Sequence, residues 1–261
     1  MAADIHPTAI VDPGAKLGDH VSIGPYAIIE HDVTIGGNTS IGSHAVIGAY
    51  TILGKENRIF HGAAVGLIPQ DLKFAGEKTR LRIGDRNIIR EFCTINRGTA
   101  ARGETVIGND CAILAYCHVA HDCVIGDRLI VSNNLAMAGH VTIGNQVTIG
   151  GVCSFHQFTR IGDHVMVQAT SYVTQDIIPF ALTGTEPVRV VDVNKIGLER
   201  RGFSAERIGN IKRAYRILFR EHLRLEEALA KLDESNRGDA DVAAIVSFIK
   251  GSERGILRMR E

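Results

Sequence analysis

The 261-residue chain has no tryptophan, only five cysteines and no surplus of either charge, with Lys plus Arg and Asp plus Glu at 29 each. Each shortage excludes something. Balanced charge, with a pI near 7.2, leaves no global basic field for gripping nucleic acid. No apolar run approaches the roughly 18 residues that a membrane-spanning helix needs. The opening MAADIHPTAIVD lacks a basic stretch followed by an apolar one, so no signal peptide is expected. An odd number of cysteines suggests reduced thiols, and hence a cytoplasmic location. The acidic, core-poor composition of a disordered chain is also missing, since 45% of residues are hydrophobic. The length fits one large domain or two modest ones.

Glycine is what the chain has in excess: 28 residues, about 11% where about 7% is usual. Its placement follows a period of six. Stepping by six from Ile5 gives Val11, Leu17, Ile23, Ile29, Ile35, Ile41, Ile47, Leu53, Ile59 and Val65, all aliphatic. The phase resumes at Ile83, Ile89 and Ile95, and again from Ile107 to Val173 without a polar residue. By chance such a run of matches has a probability of about 10⁻⁹. Glycine often follows the aliphatic, as at 18, 24, 36, 42, 48 and 54, and there it is expected to permit a sharp bend. A small or β-branched residue sits two positions before it, so both point inward from a short strand. The pattern predicts a parallel β-helix of triangular section, 18 residues per coil. Its 26 faces give roughly nine coils stacked about 4.8 Å apart.

The phase is interrupted twice. Residues 66–80 and 96–104 are expected as loops, and an extruded insert of twelve residues would preserve the phase across the first. Such interruptions suit a functional site or a tolerated surface insertion. After Val173 the period ends, and Pro179, Gly184 and Pro187 mark a connection. Ser204 can cap a helix whose core residues are Ile208, Ile211, Tyr215, Leu218 and Phe219, and LEEALAKL and DADVAAIVSFIK predict two more. The organisation expected is a β-helix domain over 1–189 and a helical domain over 190–261. Between Arg200 and Arg224 there are eight basic and two acidic residues. That is either a solvated helix face or a docking patch for something acidic.

Most of the eleven histidines, such as His20, His31, His44, His61 and His164, fall at expected prism corners as solvated turn residues. A stacking period of 18 gathers another group: His121, Gly139 and Gln157 form one column, with Asp122, His140 and Phe158 beside it. His156 stacks over Ala138 and Ala120, and His118 points outward beside the corner at 121 and 122. Three chemistries compete for this patch. It is a solvated polar cluster, or a metal site on His118, His121 and His140, which has no cysteine or acid ligand at the right spacing. Or it holds a general base whose tautomer Asp122 fixes, with the Gly139 N–H open as an oxyanion donor. Cys111, Cys117 and Cys123, six apart, are expected as inward packing residues.

The motifs HPTAIVDPGA, QDLK, REFCTINRGT, HVAHDC, AGHV, HQF, HVMV and NKIGLERRGFS resemble, along essentially the whole chain, the acyl-[acyl-carrier-protein]–UDP-N-acetylglucosamine O-acyltransferase family. The resemblance implies a homotrimer of left-handed β-helices with active sites between neighbours, needing no cofactor and no metal. It implies His121 as general base, Asp122 as its orienting partner and the Gly139 N–H as oxyanion donor. Gln70, Asp71, Lys73, His118 and His140 match positions around the glucosamine and its phosphates. His156, Gln157, Asn194, Arg200 and Arg201 match the nucleotide side, and the basic helices would meet acyl carrier protein. Ile196 departs from the Glu of some relatives. Ala169 matches the acyl-chain ruler, and a small residue there implies a hydroxyacyl chain of roughly 12–14 carbons, each buried methylene contributing about 0.8 kcal/mol. The later N-acyltransferase of the pathway carries an additional N-terminal domain, whereas here the repeat starts at residue 5. A metal hydrolyase of the γ-carbonic-anhydrase type and a structural scaffold also compete with the acyltransferase reading. Whether the acceptor carries a 3-hydroxyl or a 3-amino group stays open.

Overall fold

The computed structural model describes residues 3–184, 186–235 and 238–260. From Asp4 to Val173 the chain winds through 26 short strands, dealt in turn to three parallel sheets. Pairing partners lie 18 residues apart, as in Asp4 with Ser22 and His118 with Ala136, so each coil is one three-sided turn. The inward pairs expected from the repeat are the core: Val21, Ala27, Val33 and Ala45 are fully buried, as are Ile29, Ile35 and Ile47. All five cysteines are buried and free.

The corners behave differently from the sequence expectation. Twenty non-glycine residues from His20 to Thr170, spaced by multiples of six, have φ between +56° and +65°. The sharp turn is therefore made by the third residue after the aliphatic, in the left-handed region, at a cost that recurs at these twenty corners. Most of these residues donate their N–H along the stack to a carbonyl of the corner below, as His44 does to Pro25 O (3.0 Å) and His140 to His121 O (3.1 Å). The glycine just after the aliphatic mostly has ordinary φ. A Cβ on Gly18 would lie 2.6 Å from Gly37 N, and one on Gly42 would lie 2.7 Å from His61 N. Glycine is needed there because successive coils touch backbone to backbone, not because the chain must bend.

Both inserts are extruded. Arg58 pairs with Ile88 and Thr94 with His118, so twelve and six residues leave the coil while the ladder continues. Both protrude from the edge where the second sheet passes into the third. Past Val173, strands Ala181–Gly184 and Arg189–Val193 form an antiparallel hairpin on the first sheet, which the periodicity does not reveal. Among the described residues four helices follow: α1 Lys195–Arg200, α2 Ala205–Arg220, α3 Leu225–Ser235 and α4 Ala240–Lys250. Ser204 caps α2 by accepting from Arg207 N. Ala214 and Ile217 join its buried stripe, while Phe219 is only half-buried. The chain then returns to close the prism. Buried Asp176 accepts from Arg160 N and Ser252 Oγ (2.8 Å each) and bridges to Ile256.

Candidate active site

The edge between the second and third sheets carries His121 and Asp122 at one corner and Gly139 and His140 at the next. Asp122 takes the left-handed corner conformation (φ +61°), which turns its side chain back beside its neighbour. His121 Nδ1 lies 2.8 Å from Asp122 Oδ2. The Asp122 side chain is fully buried and that of His121 is 15% exposed. Two further donors hold the carboxylate: Thr99 N to Oδ1 at 2.9 Å and Thr99 Oγ1 to Oδ2 at 2.6 Å. Asp122 N donates to Thr105 Oγ1 (2.8 Å).

Burial alone would raise the Asp122 carboxyl. The hydrogen bonds from Thr99 and His121, with the charge of His140, outweigh it and hold the group below its usual value. An ionised Asp122 accepts only, so His121 Nδ1 is the donor and Nε2 carries the free lone pair. Nε2 has no partner among the described residues and lies beside Gly139, where a Cβ would be 2.9 Å away. The Gly139 N–H is likewise without an acceptor among the described residues, although the His140 N–H beside it is bonded. A lone pair and a free N–H thus share one corner.

His140 stacks on Phe158 (4.6 Å) and sits edge-on to His121 (5.3 Å), with its Nε2 3.6 Å from Asp122 Oδ2. Burial lowers its pKa despite the attraction of Asp122. His118 points outward from its strand and shares a 2.7 Å hydrogen bond with Thr94 Oγ1. Burial, then the neighbouring His121, lowers its pKa too. An open groove of about 490 Å³ runs past His121, floored by Ala136, Ala138 and Gly139 and flanked by Gln70, His118, His156, Gln157 and Tyr172.

The twelve-residue insert brings Gln70 to this groove. Asp71 is close enough to act on the charge of His140, and its Oδ1 accepts from Lys73 N; Lys73 is exposed. The loop is pinned from the other insert. Asn96 Nδ2 donates to Ile68 O (2.8 Å). The Arg97 guanidinium, nearly buried, lies over the rings of Tyr50 (5.3 Å) and Phe74 (5.6 Å).

The remaining expected residues are elsewhere on the chain. Asn194 caps α1, accepting from Gly197 N (3.2 Å) and donating to His164 O (2.9 Å) at the edge between the third and first sheets. Arg200 ends α1 and is exposed. Arg201 follows, its pKa lowered by burial and one buried Nη1 unpartnered. Ile196 is exposed on α1. Ala169 is exposed at the remaining edge, between the first and second sheets. One chain therefore distributes the expected site over all three edges of its prism.

The metal reading needs one correction. His121, Asp122 and His140 each offer a ligand atom within 4.8 Å of the others, so Asp122 is the acid ligand that spacing alone did not provide. A cation there would have to compete with His121 Nδ1–H and both Thr99 donors for the carboxylate. The donor set is already satisfied as a hydrogen-bonded dyad. Thr99, Thr105 and Arg97 are the residues that sequence reasoning missed. The sequence signal available was the six-residue interruption itself, which carries both Arg97 and Thr99.

A triangular β-helix with a histidine dyad at one edge, closed by a small helical unit, defines a hexapeptide-repeat transferase. The family described as bacterial transferase hexapeptide (six repeats) matches residues 14–49 and 104–135. The one described as UDP-N-acetylglucosamine O-acyltransferase, domain 2, matches residues 176–257. Acyl-[acyl-carrier-protein]–UDP-N-acetylglucosamine O-acyltransferases from Paracidovorax citrulli and Thiobacillus denitrificans are 56% and 50% identical, over 98% of this chain and 100% of each relative. The solved UDP-N-acetylglucosamine acyltransferase of Bacteroides fragilis superposes with a TM-score of 0.95 at 44% identity, over 97% of this chain and 99% of that one. The Francisella novicida enzyme superposes equally well, at 0.95 and 38% identity, over 97% and 94%. The chain belongs to the acyl-[acyl-carrier-protein]–UDP-N-acetylglucosamine O-acyltransferase family and is an acyltransferase with a left-handed β-helix and a C-terminal helical region.

Proposed function

We propose that this enzyme moves a (3R)-hydroxyacyl chain from acyl carrier protein to the 3-hydroxyl of UDP-N-acetylglucosamine, opening lipid A biosynthesis. His121 Nε2 removes the proton from the sugar hydroxyl as its oxygen attacks the thioester carbonyl. The resulting oxyanion accepts from the Gly139 N–H. As the intermediate collapses, the C–S bond breaks and the imidazolium returns its proton to the departing thiol of the carrier. Asp122 keeps Nδ1–H in place throughout and stabilises the transient imidazolium. One observation carries this reading: a dyad with its lone pair free, beside an unpartnered N–H, in an open groove.

The assembly completes the site. Asn194, Arg200, Arg201 and Ala169 lie on other edges than His121, so neighbouring copies in a homotrimer supply them to the sugar nucleotide and the acyl chain. Gln70, Asp71, Lys73, His118, His140, His156 and Gln157 contact the sugar nucleotide from the His121 edge. The basic face of α2, with Lys212, Arg213, Arg216 and Arg220 around one open groove, meets the acidic carrier. Ala169 leaves room for roughly 12–14 carbons.

The test is a transfer assay on purified enzyme with hydroxyacyl carrier proteins of 10 to 14 carbons and with the 3-hydroxyl and 3-amino sugar nucleotides. Preference for the longer donors and the 3-hydroxyl acceptor is expected. Preference for the 10-carbon donor or for the amino sugar overturns the corresponding assignment.

A further inference from the structure

The six-residue insert sits directly beneath the His121 corner and makes a specific set of contacts. Gly98 N donates to Arg80 O (3.0 Å) and Gly103 N to Thr99 O (2.7 Å), closing a tight loop. Ala101 N donates to Thr99 Oγ1 (3.2 Å), so the hydroxyl oxygen is occupied as an acceptor and its proton is directed at Asp122 Oδ2. The backbone approaches so closely that a Cβ on Gly98 would lie 2.6 Å from Glu104 Cα. Thr99 is buried and lines no part of the groove. Its two donors grip both oxygens of Asp122.

We infer that Thr99 is a positioning residue of the acyl transfer: its hydroxyl and N–H keep Asp122 ionised and aimed at His121 Nδ1, and the insert exists to deliver them. This rests on the reading of His121 as general base. Without the hydroxyl, Asp122 Oδ2 loses a short hydrogen bond and becomes a stronger proton acceptor. Its own proton affinity rises, and so does that of the imidazole it faces. Both changes move the acid limb of the rate profile in the same direction, to higher pH. The other titratable and charged groups around the dyad are His118, His140, Asp71, Arg102 and the buried Cys123, and none of them is altered.

The experiment compares Thr99→Val, Thr99→Ser and His121→Ala with the parent enzyme. Val keeps the shape and the backbone N–H but removes the hydroxyl; Ser restores it. Thr99→Val is expected to lose kcat by about 10–100-fold, the usual weight of a hydrogen bond to a charged group. KM should stay near the parent value and the acid limb should move up, with Ser recovering most of both. Asp122 titration followed by infrared or ¹³C resonance in labelled protein should shift upward in the Val variant, independently of turnover. Unchanged kcat and an unmoved acid limb in Thr99→Val overturn the inference, as does Ser losing as much as Val. If Thr99→Val fails to fold, Thr99→Ala, which also removes the hydroxyl and keeps the N–H, takes its place in both measurements. Retained activity in His121→Ala instead overturns the general-base reading, whatever Thr99 does.

Discussion

The prism carries the dipeptide His-Asp twice on the same edge, as His31–Asp32 and as His121–Asp122. The two share the corner, the left-handed acid (φ +56° and +61°) and the internal hydrogen bond (3.0 and 2.8 Å). Each histidine even meets an aromatic ring edge-on from the coil above, Tyr50 over His31 and His140 over His121. Yet His31 and Asp32 are 54% and 68% exposed, against 15% and 0% for His121 and Asp122. Three neighbours account for the difference. Beneath Asp122 lies the insert with Thr99, which Asp32 lacks. Above His121 is Gly139, where His31 has Ala49. The Ala49 N–H is taken by Glu30 Oε2 (2.8 Å), whereas the residue at the Glu30 position in the upper coil is Ala120, and the Gly139 N–H is left unused. The fold supplies the dyad geometry at any corner of this edge. What separates the proposed catalytic corner from an inert one is burial, a second grip on the acid and a free N–H.

The largest test of that contrast removes each histidine in turn. His121→Ala should lower turnover by about 10²–10⁴-fold, the usual contribution of a general base, with the fold intact by circular dichroism. His31→Ala should leave turnover unchanged. Equal effects at the two corners would show that neither dyad is special.

Next comes the N–H. Ala120→Glu installs the feature that closes the lower corner, a carboxylate positioned to accept from Gly139 N. Loss of an oxyanion donor usually costs about 10²–10³-fold in kcat. Ala120→Met, of similar length but with no acceptor, should lose much less. Steady-state rates of the two variants separate capping from crowding, and equal losses would assign the effect to bulk.

The coil, its core and the dyad were legible in the sequence because a six-residue period is a one-dimensional record of a three-dimensional stack. Counting 18 places Gly139 over His121 and His140 over Asp122 without coordinates. The count also fails in a definable way. It assigns glycine to the bend, because sequence records which residue is small but not whether small size serves φ or a backbone contact. It cannot see across an insert, since an extruded loop has no period, and so Thr99 and Arg97 were invisible as partners. Comparing IIEHD at residues 28–32 with HVAHD at 118–122 would have exposed the Glu-to-Ala difference. Its meaning needed the hydrogen bond from Ala49. The hairpin after Val173 pairs neighbouring residues but carries no six-residue repeat, and the closure of the prism pairs Asp176 with the distant Ile256, so neither periodicity nor capping signals contain them.

A smaller effect tests how the upper corner acquires its substrate loop. The lower corner has no counterpart of the pin that Arg97 forms between Tyr50 and Phe74. Arg97→Met keeps the volume and removes the charge. A cation–π contact is worth about 0.5–2 kcal/mol, so KM for the sugar nucleotide should rise by about 2- to 30-fold, with kcat close to the parent value. Thermal stability should hold or increase, because the buried guanidinium has an unpartnered Nε beside one long bond from Nη1 to Ala49 O (3.4 Å), and burying a charge is itself costly. A fall in kcat with KM unchanged would place Arg97 in the chemical step and not in the loop.

The smallest effect distinguishes the corners by their response to acid. Burial lowers the pKa of His118, His140 and His164 from 6.5. Between each lowered value and 6.5 the unfolded chain binds a proton that the folded one refuses, so stability rises with pH there. The contribution is complete above pH 6.5 and is lost as pH falls through the folded values. Melting followed from pH 7.5 to 5.5 should therefore show a decline on the order of 3 °C for each kcal/mol of stability withdrawn. His140→Gln, which cannot titrate, should flatten part of that decline. If this variant falls with acid as steeply as the parent, burial of His140 at the upper corner does not contribute to the decline.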